Sequence, residues 1–403
     1  MKRNIMLCLI FLLSVLLTVG CSQKKKKADK LRTEIVLWHY WDIPHNQKQL
    51  SELVRNYNKS QQEVRVVIKY ILDEDLKKQL ALSMADGTMP DLALVDSADF
   101  QYFHSLKKFA DLTDEIDEQE YFPEALDSCR VEEKIYGLPF GLNCPALIYN
   151  KKMLKKHHLK VPETWDEFYE AAVELTDHET YGFGITALQS EETMYEFLPI
   201  LWSMGGRAGN ISSPESRKSF ELLVKLVDKK AMSRQCISLT LGDLMNQFIK
   251  GNVAMMLNSP MTIDTIREEN PGLDFGIAPI PSGKQSVSVI GGEVLAVTKG
   301  SHEKEAVSFV RYLSQKKNME TYLDGFGFLA PRKDVFREQF SGDEKKKSFK
   351  KIYKTARPRE FTKKWPYVSK TLSDCISDII IDGKNINKKL NRAADKIKNT
   401  GEE

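Results

Sequence analysis

The stretch from Tyr136 to Phe168 constrains the fold more than any other. Tyr136-Gly137 is a turn pair, and Leu138-Pro139-Phe140 reads as extended because the residue before a proline is pushed out of the helical region. Gly141, Asn143 and Pro145 then rule out a helix and suit a chain that crosses between two bodies. Ala146 to Tyr149 is a short apolar strand, a Lys-rich helix follows, and Pro162 breaks it. Thr164-Trp165-Asp166-Glu167 is a capping box, in which the Thr164 hydroxyl and the Glu167 carboxylate each satisfy a backbone N–H at the start of the next helix. The order is strand, crossing, strand, helix, proline turn, helix.

On either side of the crossing the pattern is α/β. Ile35 to Trp38 suits a buried parallel strand, and Leu50, Leu53, Val54 and Tyr57 share one face of a helix. Val64, Val66, Ile68 and Tyr70 alternate as a strand, and Leu76, Leu80 and Met84 line a helix stopped by Gly87. Leu92 to Val95 is a third strand, with a helix expected near 97–106. Strand–helix alternation implies mainly parallel, helix-covered sheets. Beyond the crossing, Ser213-Pro214 and Thr240 with Asp243 start helices, and Gly205-Gly206 and Gly251 end them. In Val287 to Thr298 two glycines interrupt a strand, the mark of a bend or a close backbone approach, read as the chain's return to the first body. Gly325 and Gly327 mark a third crossing, and two amphipathic helices end the chain.

The chain's 403 residues suit two lobes better than one core. Net charge is only +3 against 59 basic and 56 acidic side chains, so the chain is no nucleic-acid polycation. The basic segments 24–32 and 345–364 read as solvated linker and helix face. Lys2, Arg3 and the apolar run Ile5 to Val19 form a signal peptide over 1–20, too short for a membrane span of about 20 residues. Residues 21–32 are a polar tether with an r.m.s. reach of roughly 20 Å. Cys129, Cys144, Cys236 and Cys375 are widely spaced, and disulfides or buried free thiols are both open.

Catalysis finds little support. There is no GxSxG, HExxH or P-loop pattern, and no metal-ligand spacing among the histidines. Gly325 to Ala330 fits GxGxxA but follows a helix, and the acidic clusters read as capping acids. The expectation is a non-enzyme without cofactor or metal. Recognition has more support. In open α/β sheets ligands sit beyond the strand ends, which brings forward Trp41 and Asp42 after the first strand and Asp96 and Asp99 after the third. Sugars need aromatic platforms for CH faces and carboxylates or amides for hydroxyls. Asp96 and Asp99 equally suit helix capping.

The opening stretch closely resembles the passage from first to second lobe in extracellular solute-binding proteins of ABC importers, in the branch that binds carbohydrates. Tyr136, Gly137, Pro139, Tyr149, Asn150, Lys151, Pro162, Thr164, Trp165, Asp166 and Glu167 carry it. Pro90-Asp91, Gly251 to Met255, Gly291-Gly292 and Pro331-Arg332 extend it over about 33 to 398. Val19-Gly20-Cys21 resembles a lipobox, which makes Cys21 the lipidated N-terminus, although Thr18 stands where leucine is usual. The resemblance implies a two-lobe binding-protein fold. The first lobe takes 33–142 and 293–329, the second 143–289 and 330–398. It also implies a monomer that delivers a carbohydrate to permease subunits while anchored outside the cytoplasmic membrane by its lipid. Aligned on this family, Asn143, Tyr195 and Trp365 fall at ligand positions, Trp365 as an exposed stacking ring. Trp202 is open to a pocket or a core role, and Met261 replaces a tryptophan of the maltodextrin binders. The rival readings are a receptor for a polyamine or oligopeptide, and a secreted glycosidase.

Overall fold

The structure, a computed structural model, describes residues 32–283, 285–359 and 363–399. The signal peptide, Cys21 and all of the tether but Arg32 lie outside the described residues. Among the described residues no helix is long and apolar enough to cross a membrane.

The strands, in chain order, are β1 (Thr33–His39), β2 (Val64–Tyr70), β3 (Leu92–Asp96), β4 (Arg130–Val131), β5 (Lys134–Ile135), β6 (Gly137–Asn143), β7 (Ala146–Asn150), β8 (Tyr181–Gly184), β9 (Val253–Asn258), β10 (Phe275–Ala278), β11 (Ser288–Val297) and β12 (Ala356–Pro358). The first sheet runs β2–β1–β3–β11, with β6 and β12 also bonded to β11. The second runs β10–β7–β9–β8, and β4 and β5 pair by themselves. The βαβ alternation expected at the N-terminus is present, with β1 parallel to both β2 and β3. Helix Pro44–Ser60 buries Leu50, Leu53, Val54 and Tyr57, and Gly87 ends the helix Asp73–Asp86 in the left-handed region. Each such large apolar side chain taken fully from water contributes about 1.5–3 kcal/mol.

At the seam between the lobes the pairing is mixed, with β11 parallel to β12. β11 is antiparallel to β3 and β6, and in the second sheet β7 is antiparallel to β9 and β10, leaving β8–β9 as its parallel pair. The reason is topological: strands that carry the chain out of a lobe lie beside strands that carry it back.

Three crossings meet side by side. The Leu142 and Leu329 backbones exchange two hydrogen bonds of 2.8 Å, and Leu142 also pairs with Gly292 on β11. Gly292 has φ +144°, a conformation that L side chains rarely adopt, and a Cβ there would strike the Gly141 carbonyl. β11 is buried along its whole length. Its first residues pair with β12, and its last pair with β3. Gly325 lies inside the helix Lys316–Phe326, with Gly327 its left-handed cap, so the third crossing starts after it.

Local signals resolved as expected at both capping boxes, Thr164/Glu167 and Thr240/Asp243, and at the Ser213 cap. The four cysteines among the described residues are buried and unpaired.

Candidate functional site

β3 ends at Asp96, beside Glu293 of β11, and the Ser97 N–H donates to the Gly292 carbonyl at 3.0 Å. Asp96 Oδ1 accepts the Ala98 N–H at 2.7 Å and Arg359 Nη2 at 2.8 Å, so it caps a turn and holds a cation at once. Asp99 stands at the head of the helix Phe100–His104 without capping it. It is buried and paired with Lys77 Nζ at 2.7 Å. Burial drives the Asp99 carboxyl upward, and the Lys77 ammonium opposes that drift.

The second lobe supplies the helix Glu191–Ser203, with Glu191 in its first turn, where the helix dipole favours an anion. Glu191 accepts Arg359 Nη1 at 2.6 Å, Trp365 Nε1 at 3.0 Å and the Ser369 hydroxyl. Arg359 directly follows β12, and its side chain has no exposure. The guanidinium forks between Asp96 of one lobe and Glu191 of the other, a geometry suited to its planar donors. Burial opposes its charge, but the flanking carboxylates more than offset this and hold it protonated.

Four residues along the helix from Glu191, on the same face, lies Tyr195. A side chain at Gly291 would collide with the Asn143 amide oxygen and the Tyr195 ring, so the bare glycine is what lets these two approach the crossing. Burial pushes the Tyr195 hydroxyl well above its ordinary value, so it stays a donor. Four buried polar atoms gathered in this region have no partner in the protein: Asp99 Oδ1, Asn143 Oδ1, Tyr195 Oη and Arg359 Nε. Leaving such an atom unbonded costs about 1–3 kcal/mol. Together they offer two acceptors, a neutral donor and a charged donor at the junction of the lobes.

Asp96, Asp99, Asn143, Tyr195 and Trp365 thus belong to this seam, and the structure corrects several expectations about the others. Trp365 is not an exposed ring: it is 1% exposed, starts the helix Trp365–Asp382 and packs in the second-lobe core. Its polar sequence neighbours misled because its indole N–H is bonded to Glu191, far away in sequence. Trp41 is a first-lobe core residue, its ring 4.9 Å from Phe326 and 5.8 Å from Phe140 between centroids. Asp42 is exposed, and Trp202 is half-buried against the second-lobe core. The basic segment 345–364 is not wholly a solvated face, since Lys346 and Arg359 within it are buried in ion pairs. Sequence reasoning missed Arg359, Glu191 and Lys77. A glutamate pair opening a helix after Ser190 was the available signal for Glu191.

A family profile described as bacterial extracellular solute-binding protein matches residues 52–348. A putative binding protein of Brucella abortus is 26% identical over 275 residues, covering 64% of this chain and 66%, just under two thirds, of that relative. The multiple sugar-binding protein of Streptococcus mutans is 24% identical over 365 residues, 84% of this chain and 85% of its own length. Among solved structures, a Thermotoga lettingae ABC transporter solute-binding protein bound with alpha-D-tagatose superposes with a TM-score of 0.84 at 21% identity, covering 91% of this chain and 98% of that one. The maltose-bound MalE3 of T. maritima gives 0.84 at 22% identity, over 91% and 99% of the two chains. These two likenesses show the fold, a two-lobed α/β binding protein. With three quarters of its length inside the family profile, this chain belongs to the bacterial extracellular solute-binding proteins.

Proposed function

We propose that the chain captures a sugar or oligosaccharide in the seam between its lobes and passes it to the permease subunits of an ABC importer. The observation that carries this is the set of four unpartnered buried polar atoms contributed by both lobes and the crossing. A polyhydroxylated ligand satisfies donors and acceptors together. The relatives named multiple sugar-binding, maltotriose-binding and lactose-binding protein support the same reading.

In this reading Asp96, Asp99, Asn143, Tyr195 and Arg359 face the ligand, and Glu191 and Trp365 hold Arg359 in place. The lobes, 33–142 with 293–329 and 143–289 with 330–398, close about the crossings near 141–145, 290–293 and 328–331. Cys21 carries the lipid that keeps the protein at the outer face of the cytoplasmic membrane; Cys21→Ala should change membrane fractionation and precursor size, and unchanged membrane retention of a processed, signal-free form refutes the anchor.

Thermal melting against a panel of mono- and oligosaccharides tests the reading. A ligand at 100 times its Kd adds about 2.7 kcal/mol to stability. A shift with one sugar series is the expected result. A panel without any shift, alongside a shift with spermidine or a peptide mixture, refutes it.

A further inference from the structure

This inference rests on the sugar-binding reading and narrows it to a charge class. The seam holds three carboxylates, Asp96, Asp99 and Glu191, against two cations, Lys77 and Arg359. Both cations are already engaged. Lys77 Nζ lies 2.7 Å from Asp99, and Arg359 lies 2.8 Å from Asp96 and 2.6 Å from Glu191. Glu191 also accepts the Trp365 and Ser369 donors. Of these carboxylates Asp99 is buried, and Asp96 and Glu191 are half-buried around the fully buried Arg359 guanidinium.

A ligand carboxylate or phosphate entering here finds both cations already committed to carboxylates, with Arg359 Nε the one charged N–H left to donate, and it stands beside like charges where water screens poorly. A hydroxyl or an ammonium meets the opposite situation. The unpartnered Asp99 Oδ1 and Asn143 Oδ1 accept from it, and the Tyr195 hydroxyl is left to donate to a ring or hydroxyl oxygen. Asn143 Oδ1 and the buried Tyr195 hydroxyl, which lie outside the carboxylate cluster, are what mark the place as a ligand site.

We infer that the seam selects sugars without negative charge, neutral or amino sugars, and rejects uronic acids and sugar phosphates, with the Asp99–Lys77 pair setting the selectivity. Lys77 is the adjustable member. Its side chain is 40% exposed while Asp99 is buried, so its ammonium reaches the seam from the rim and its charge is cancelled there by Asp99. Neutralising Asp99 releases that cation toward the ligand.

Titration calorimetry on the full chain tests this with glucose, mannose and galactose disaccharides, each in neutral, uronate and 2-amino form. The neutral and amino forms of at least one sugar should bind, with the uronate of that sugar at least about tenfold weaker. Asp99→Asn, which keeps the shape of the side chain, should narrow the gap severalfold by improving uronate binding. Lys77→Met should widen it and serves if Asp99→Asn fails to fold. A uronate that binds as tightly as its neutral counterpart overturns the inference, as does a gap that neither variant moves. If none of the nine disaccharides binds, the comparison uses the sugar that shifts thermal melting, in its neutral and uronate forms; a melting panel without any shift ends the sugar reading and the inference with it.

Discussion

Two buried tyrosines, one on each side of the seam, separate what holds this molecule together from what it does. Tyr322 stacks on Phe140 at 4.7 Å in the aromatic nest around Trp41, and its hydroxyl donates to the Phe140 carbonyl at 2.8 Å. Tyr195 is buried in the polar seam, and its hydroxyl has no partner. Burial pushes both hydroxyls well above their ordinary value. One phenol is thus a finished part of a core, while the other is held in place with a bond still to make. The nest closes on itself through rings, and the seam through charges whose remaining valences are open.

Breaking the nest should cost the most. Trp41→Ala removes a ring packed against Phe140, Phe326 and Phe328. It should destabilise by about 4 kcal/mol in denaturant titration, with the affinity of the folded fraction for its ligand little changed. Breaking the seam comes next. Arg359→Met leaves the half-buried Asp96 and Glu191 without their shared cation and should cost about 3 kcal/mol. Adding Asp96→Asn and Glu191→Gln should recover much of that stability but not ligand binding. Full recovery of binding in the triple variant removes the seam from the site.

Acid should act on the nest through His39, which lies 6.4 Å from Trp41 between ring centroids. Burial lowers His39 to about 4 from an ordinary 6.5. The unfolded chain therefore takes up the proton first. Stability is complete above pH 6.5 and is lost as pH falls from there toward 4, by on the order of 3 kcal/mol. His39→Gln should flatten that part of the stability–pH curve, and an unchanged slope would assign the acid loss to other groups. The smallest change sharpens the comparison most. Tyr322→Phe deletes a made hydrogen bond and should cost about 1 kcal/mol without touching affinity. Tyr195→Phe deletes an unmade one, so stability should hold or rise slightly, while calorimetry shows ligand affinity down by about tenfold. Normal affinity in Tyr195→Phe would return that residue to the core.

The same division decides how much could be read from the sequence. Caps at Thr164, Ser213 and Thr240 and the stop at Gly87 depend on residues three or four apart, and the local pattern carries them in full. Asp96 and Asp99 of the candidate seam were legible as candidates because a strand end in an α/β sheet is where ligands gather. Arg359 was not. Its partners Asp96 and Glu191 lie 263 and 168 residues away, and its immediate surroundings look like any solvated basic run. Trp365 failed for the same reason in reverse, since the polarity of Lys364 and Pro366 says nothing about a glutamate 174 residues earlier. The antiparallel pairs of β11 with β3 and β6 escaped because period and propensity do not encode the direction in which the chain returns.

β11 has one more consequence, in the order of events when the protein is made. It is an interior strand of the first sheet, paired on β3 with Glu293 opposite Asp96, roughly two hundred residues apart in sequence. Until that segment has left the ribosome, β1, β2 and β3 lack the strand that completes their sheet, and the nest around Trp41 lacks Phe326 and Phe328. The N-terminal third therefore cannot mature early into a stable intermediate. A chain built this way completes its first sheet late, after all four strands of the second sheet, drawn from residues 146–278, have been made.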